Sequence, residues 1–331
     1  MYFKYILSVL LFISCSEATV QPISVCKFEN DVRLYCPVTI NGHTFSFIID
    51  TGADMSAIDY FKAKEAGILP TDSCMKSISF YHCDWKGIIY NIKTEIKIGD
   101  TFMPCNLTFL NQKDAPALDL REGDGVIGMD VMSHLNWFVD LKKDSLWLST
   151  QKMDYPVKSE PSFTIEMLEN RTAYVHITLC DSIERRFLFD TGYSLTNPVQ
   201  DYNLSTVLVL PDDLLNKYLN DTARMCHISF EARTWLIYDD LKIQNLSLPY
   251  ALLDNNLVNN GNPVDYLGIL TCEFLAYFDY MAYDKEKRKI FLYNYNSDIV
   301  RTKDMKEIYH RIRRAYKEQK NYNTIFKRQQ P

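Results

Sequence analysis

Residues 45–59 read FSFIIDTGADMSAID, and the fold is decided at the Asp in the middle of this stretch. Four of the five residues before Asp50 are apolar, and Asp-Thr-Gly follows directly. A carboxylate ending a buried strand has an ordinary explanation, because Asp and Gly are frequent where strands turn. A second stretch argues against that explanation. Residues 186–196 read RFLFDTGYSLT, so Asp190-Thr191-Gly192 closes another apolar run 140 residues later. Two such turns in matching contexts indicate a repeated unit that puts its Asp to use.

The repeat extends outward from both turns. LYCPVTINGHTFSFIIDTGA (34–53) is answered by YVHITLCDSIERRFLFDTGY (174–193), each reading as strand, turn and strand. Ile78-Ser79-Phe80 is answered by Ile228-Ser229-Phe230, and GVIGMDVM (125–132) by GILTCEFL (268–275). Each unit closes on a strand, DLKKDSLWL (140–148) and DKEKRKIFL (284–292). The step from Asp to the first glycine of the later motif is 75 residues in unit one and 78 in unit two, so order and spacing are both kept. Short apolar runs rich in Tyr and Phe favour an all-β plan. The organisation is a leader over 1–18, a first lobe over 27–150, a linker over 151–162, a second lobe over 163–296 and a basic tail over 297–331. Three helices are expected: Ala57 to Ala66, stopped by Gly67; Pro211 to Leu219; and a short amphipathic helix in the tail, where Met305, Ile308, Ile312 and Ala315 recur.

Two carboxylates in hydrogen-bond reach can hydrolyse a peptide bond with water. One activates the water and the other protonates the carbonyl oxygen. Held that close they share one proton, which makes base and acid from one residue type. Gly52 and Gly192 permit a tight backbone approach, and Thr51 and Thr191 offer hydroxyls that lock one turn to the other.

At these residues the chain resembles the aspartic peptidases. DTGADMSAIDYFKAKEAGI is similar to the retropepsin-like branch, as are the apolar-apolar-Gly residues Val126, Ile127 and Gly128. The resemblance covers residues 30 to 294 as two units fused in one chain, and it implies a two-lobed, double-psi β-barrel-like fold with a cleft between the lobes. It implies catalytic Asp50 and Asp190, with Thr51, Gly52, Thr191 and Gly192 building the turns. It implies an extended polypeptide substrate, no cofactor and no metal, and a monomer. Substrate contacts fall on Asp54, on Tyr193, and on Tyr81 or Trp85 in a flap over 78–90. Unit two departs from the pattern: Tyr193 is bulky where the family has Ser, Thr or Ala, and Thr271 replaces a glycine. The competing reading is a catalytically impaired relative that binds peptides at the cell envelope. Asp130 and Glu273 read as acids in the first turn of a helix.

Other classes find no support. A formal net charge of −6 gives no global attraction to nucleic acid. No GxSxG or phosphate loop occurs. Nine cysteines show no CxxC spacing and six histidines are scattered, so a zinc site is not expected. The start, MYFKYILSVLLFISCSEATV, looks like an export signal: Lys4 precedes an apolar core, Ile6 to Ile13, too short to span a bilayer. Two processing readings stand, cleavage after Ala18 to a secreted protein, or lipidation of Cys15 and a membrane tether. The remaining eight cysteines fit either disulfides or buried thiols. Five Asn-x-Ser/Thr sequons, at Asn106, Asn170, Asn203, Asn220 and Asn245, are weak evidence for glycosylation. The tail from Arg301 holds ten Lys/Arg against three Asp/Glu, leaving −13 on the rest.

Overall fold

A computed structural model describes residues 22–25, 33–80, 83–111, 120, 123–168, 173–179, 183–194, 196–199, 202–211, 225–230, 233–257 and 268–327. Cys15 and the leader, Tyr81 and residues 212–219 lie outside these, and so does the side chain of Trp85.

The fold is an all-β aspartic-protease fold. In unit one, Tyr35–Ile40 and His43–Ile49 form a hairpin whose two-residue turn puts Asn41 and Gly42 at φ of 50° and 84°. Those positive values suit an Asn-Gly turn, whose twist matches the strands it joins. Along His43–Ile49 exposure alternates until Phe47–Ile49, which are buried on both faces. His43–Ile49 then pairs in parallel with Gly125–Ile127, which pairs with Ala57–Asp59, then Thr101–Leu110, then Cys83–Ile98. Cys83–Ile98 returns to Tyr35–Ile40 and closes a six-stranded barrel, with Asp72–Phe80 as an outer hairpin strand.

Unit two repeats the order strand for strand. Ala173–Leu179 pairs with Ile183–Asp190, then Gly268–Thr271, Leu208–Pro211, Leu246–Leu257, Arg233–Ile243 and Met225–Phe230. The parallel and antiparallel senses agree as well. The hairpins ending in the two Ile-Ser-Phe stretches share one register, Phe80 opposite Cys83 and Phe230 opposite Arg233.

The closing strands do not stay within their own units. Asn136–Asp140 and Ser145–Ser149 form one hairpin, Tyr280–Asp284 and Lys289–Tyr293 the other, and Asn136–Asp140 pairs with Tyr280–Asp284. With Ile23–Ser24 at one side and Phe163–Met167 at the other, this makes a base sheet that runs on through Phe163–Met167 into Ala173–Leu179 and the strands of unit two. The two hairpins turn in the same way. Asp140 accepts from the backbone N–H of Lys142 and Lys143, and Asp284 from that of Glu286 and Lys287. Four residues after each Asp, Asp144 and Arg288 take positive φ, 48° and 55°. Where the units meet, Trp137 lies opposite Tyr283 and stacks on it, ring centroids 5.5 Å apart.

The helices differ from the sequence reading. Ala57–Asp59 is a strand in the barrel wall, and the helix begins at Tyr60, running to Glu65. Asp59 caps it by accepting from Phe61 and Lys62 N–H, both at 3.0 Å, which fixes the start. Pro211 is the last residue of the strand Leu208–Pro211, and the rest of the helix expected over Pro211 to Leu219 lies outside the described residues. The C-terminal helix is long, Val300–Lys327, and not short as expected. The thiols of Cys105 and Cys74 are free, one buried and one exposed, and Cys36 and Cys272 are buried.

Trp137 is fully buried between the units. Trp137→Ala is expected to cost about 3–5 kcal/mol of stability, read from the urea midpoint. A loss below about 1 kcal/mol would show that the base sheet does not couple the units.

Candidate active site

Each Asp-Thr-Gly turn leaves its barrel at the end of a central strand. Asp50 N–H bonds the Ile127 carbonyl at 3.1 Å, and Asp190 lies opposite Thr271 in the parallel pair. Within each turn the carboxylate folds back on the chain. Asp50 Oδ1 accepts from Gly52 N–H at 2.7 Å and Ala53 N–H at 3.0 Å. Asp190 Oδ1 accepts from Gly192 and Tyr193 N–H, both at 2.9 Å.

The turns then lock reciprocally. Thr51 Oγ1 donates to the Phe189 carbonyl at 2.8 Å and accepts from Thr191 N–H at 3.1 Å. Thr191 Oγ1 donates to the Ile49 carbonyl at 2.7 Å and accepts from Thr51 N–H at 3.0 Å. Both threonines are buried, so each hydroxyl is satisfied only across the interface between units.

This lock brings Asp50 and Asp190 into direct hydrogen bonding. Each carboxyl lies over the other turn's glycine: a Cβ on Gly52 would collide with the Asp190 carboxyl, and one on Gly192 with that of Asp50. Glycine is needed here for close approach. Removal from water raises the Asp50 carboxyl well above its ordinary range. The Asp190 charge and the bond between the carboxyls raise it further, against the N–H groups of Gly52 and Ala53. The pair therefore holds one proton between two carboxyls over a wide span of pH.

Beneath each turn sits a support that the sequence reading missed. Ser56 Oγ donates to Asp130 Oδ1 at 2.7 Å and accepts from Gly128 N–H at 3.0 Å. Met129 N–H bonds the Ala53 carbonyl at 2.8 Å. In unit two, Ser194 Oγ donates to Glu273 Oε1 at 3.1 Å, and Cys272 N–H bonds the Tyr193 carbonyl at 3.1 Å. Asp130 and Glu273 do open their short helices, and they also hold a serine of the catalytic turn. The serines lie six residues after Asp50 and four after Asp190, so a residue-by-residue alignment of the units does not pair them. Cys105 lies near this support. Burial and then the Asp130 charge push its thiol up to about 12, partly offset by its hydrogen bond with Ser56, so it stays protonated.

The two departures in unit two are accommodated. Gly128 has no room for a side chain, since a Cβ would sit 2.9 Å from the Ala53 and Met55 carbonyls. Thr271 is fully buried, and its hydroxyl donates to the Thr206 carbonyl at 2.5 Å and accepts from Glu273 N–H at 3.3 Å, capping the 3₁₀ helix Cys272–Tyr277. Both positions have extended backbone, so neither demands glycine by its torsion. The Tyr193 backbone makes the same two bonds as Ala53, and its side chain is half-buried with its hydroxyl oxygen inside the protein. Asp54 is exposed. Tyr81 lies outside the described residues; the Trp85 backbone is on the strand Cys83–Ile98, opposite Ile78. Among the described residues, no group of three or more His, Cys, Asp or Glu is placed to hold a metal ion.

Residues 36–131 match the family model described as aspartyl protease. The chain is also similar to the DNA damage-inducible protein 1 of Chaetomium globosum, 26% identical over 134 residues. That match covers 38% of this chain and 28% of the relative, so the chain spans less than a third of that protein's length. The paired turns and these comparisons agree on an aspartic peptidase.

The raised Asp50 carboxyl has a sign that stability can test. The folded state keeps the proton that the unfolded chain releases near 3.8, so stability falls as pH rises from there towards the folded value. Asp50→Asn removes that dependence. The variant is expected to melt progressively above the wild type as pH rises from about 4, by at most about 1.4 kcal/mol per pH unit. A melting difference that does not change with pH would contradict the shared proton.

Proposed function

We propose that this aspartic peptidase is an active endopeptidase that cleaves an extended polypeptide with a water activated by Asp50 and Asp190. The observation that carries the reading is the hydrogen-bonded carboxyl pair, held by reciprocal threonine bonds across two matching turns.

The chemistry follows from one shared proton. The ionised carboxyl takes a proton from water as its oxygen attacks the peptide carbonyl carbon. The protonated carboxyl gives its proton to the carbonyl oxygen, leaving a neutral tetrahedral diol. Collapse returns a proton from the diol to one carboxyl while the other protonates the leaving nitrogen. The dyad ends with the single proton it began with, ready for another turnover. Fixed turns matter because the donor and acceptor must face the same carbonyl throughout. The steps need no metal or organic cofactor.

The substrate would lie across the pair and meet Ala53 on one side and Tyr193 on the other, with Asp54 exposed near the first turn. Tyr81 and Trp85 would be further substrate contacts. The unequal flanks make Tyr193 a specificity residue: it narrows the unit-two side, where small substrate side chains fit. Secretion, or a tether through lipidated Cys15, would place the enzyme outside the cytoplasm, acting as a monomer because one chain carries both turns.

Digestion of a peptide library by the purified chain tests the reaction. Asp50→Asn and Asp190→Asn are each expected to abolish turnover, and statine-type inhibitors to block the wild type. Activity retained in either variant would remove the dyad. A wild type that binds the library without cleaving it would favour the impaired, peptide-binding reading. The pH profile should be bell-shaped, with loss at high pH as the second carboxyl ionises and loss at low pH as both become protonated. In the same library Tyr193→Ala should broaden the preference on one side of the scissile bond, raising kcat/KM for the larger residue by about ten-fold or more. An unchanged preference would place Tyr193 outside the substrate path.

A further inference from the structure

The C-terminal helix Val300–Lys327 is held to the protein along one stripe. Met305, Ile308 and Tyr309 are buried against Ile237 and Leu252, with Tyr250 and Ile312 packed at the edge. Ile237 and Leu252 are direct partners on neighbouring strands, and the adjacent Tyr238 and Leu253 point into the main core. The helix therefore uses its apolar face to cover the outer side of that hairpin.

What it leaves outward is basic. Lys303, Lys306, His310, Arg314 and Lys317 are all exposed. They follow one another at steps of three, four, four and three residues, which keeps them in one row on an α-helix. At 1.5 Å per residue the row is roughly 21 Å long. The acidic residues Asp304 and Glu307 fall to one flank of it by the same periodicity. Beside the row, Tyr309, His310, Arg313, Arg314 and Lys317 line a recess of about 550 Å³. Residues 301–331 carry ten Lys/Arg against three Asp/Glu, although the whole chain is at −6. The helix thus presents a basic row on an acidic protein, with Lys303 at its near end ion-paired to Asp298 at 3.1 Å.

We propose that this row docks the protein on an anionic lipid membrane. A straight row on the outside of a rod meets a plane along its whole length. A polyanionic chain following the row would instead run off its ends onto an acidic body. The helix also acts as a spacer. It is about 10–12 Å thick, and the screening length at physiological salt is about 8 Å, so a membrane touching the row lies more than one screening length from the charge behind it. This inference does not depend on the peptidase reading.

The test compares the full chain with its Lys306→Gln/Arg314→Gln/Lys317→Gln variant by sedimentation with vesicles. Phosphatidylcholine vesicles are set against the same vesicles containing phosphatidylserine. Because the leader is common to both proteins, the difference isolates the row. Each basic residue near an anionic surface contributes roughly five-fold, so the variant should partition onto phosphatidylserine vesicles about 100-fold more weakly. It should match the wild type on phosphatidylcholine alone. The wild type should also lose its phosphatidylserine-specific increment as salt is raised, a measurement that needs no variant. Equal partitioning of the two proteins onto phosphatidylserine, or an increment that survives salt, would overturn the proposal. So would salt-sensitive capture on an oligonucleotide or heparin column without vesicle binding, which would identify a polyanion as the partner.

Discussion

Each Asp-Thr-Gly turn in this protein is completed by the other unit's threonine. Thr51 and Thr191 are both buried, and each donates to a carbonyl and accepts from an N–H on the opposite side. Neither hydroxyl has a partner of this kind within its own turn, so separating the turns would leave buried polar groups unsatisfied, at about 1–3 kcal/mol each. The position of Asp50 against Asp190 follows from that requirement. The lock sets how far apart the carboxyls sit, their proximity sets the proton they share, and the proton sets what chemistry they can do. The barrels and the base sheet hold the two ends of this arrangement in place.

The two halves reach one geometry by unequal means. In unit one the turn takes six residues to reach Ser56, and its backbone presses against Gly128, leaving no space for a side chain. In unit two Ser194 is reached in four, and Thr271 occupies the corresponding position with its hydroxyl bonded to the Thr206 carbonyl. A carboxylate on a serine completes both, one from Asp130 and the other from a longer Glu273. The extra methylene of Glu lets a different backbone path end in the same contact. Symmetry is kept at the carboxyl pair and relaxed a few ångströms below it.

What could be read from the sequence was local or repeated. The strands before Asp50 and Asp190 show as apolar runs, and the identical triplets with matched spacing mark out two units with the same strand order. The supports stayed hidden because Ser56 and Ser194 stand at different distances from their Asp, so comparing the units residue by residue passes over them. The helix start at Tyr60 was obscured for another reason: Ala57 and Ile58 suit either a strand or a helix, and the Asp59 cap decides between them. The apolar stripe of the tail stops at Ala315 and suggests a short helix, yet the helix runs to Lys327. Pairing between Asn136–Asp140 and Tyr280–Asp284 joins segments about 140 residues apart, and no periodicity within either strand encodes that partnership.

That cross-unit pairing changes how the site responds to dilution. If the two turns belonged to separate chains, the fraction of assembled sites would fall as the protein thinned out, and site occupancy would be a matter of association. Here the base sheet fastens both turns to one continuous backbone, so the second turn is presented at an effective concentration fixed by the fold. The two lobes also cannot each be replaced by a copy of the other, because unit one's last hairpin is an internal strand pair of a sheet that unit two completes. The interweaving leaves a molecule whose paired Asp-Thr-Gly turns stay together at any concentration at which the chain is folded, while the turns' flanks differ, Ala53 on one side and Tyr193 on the other.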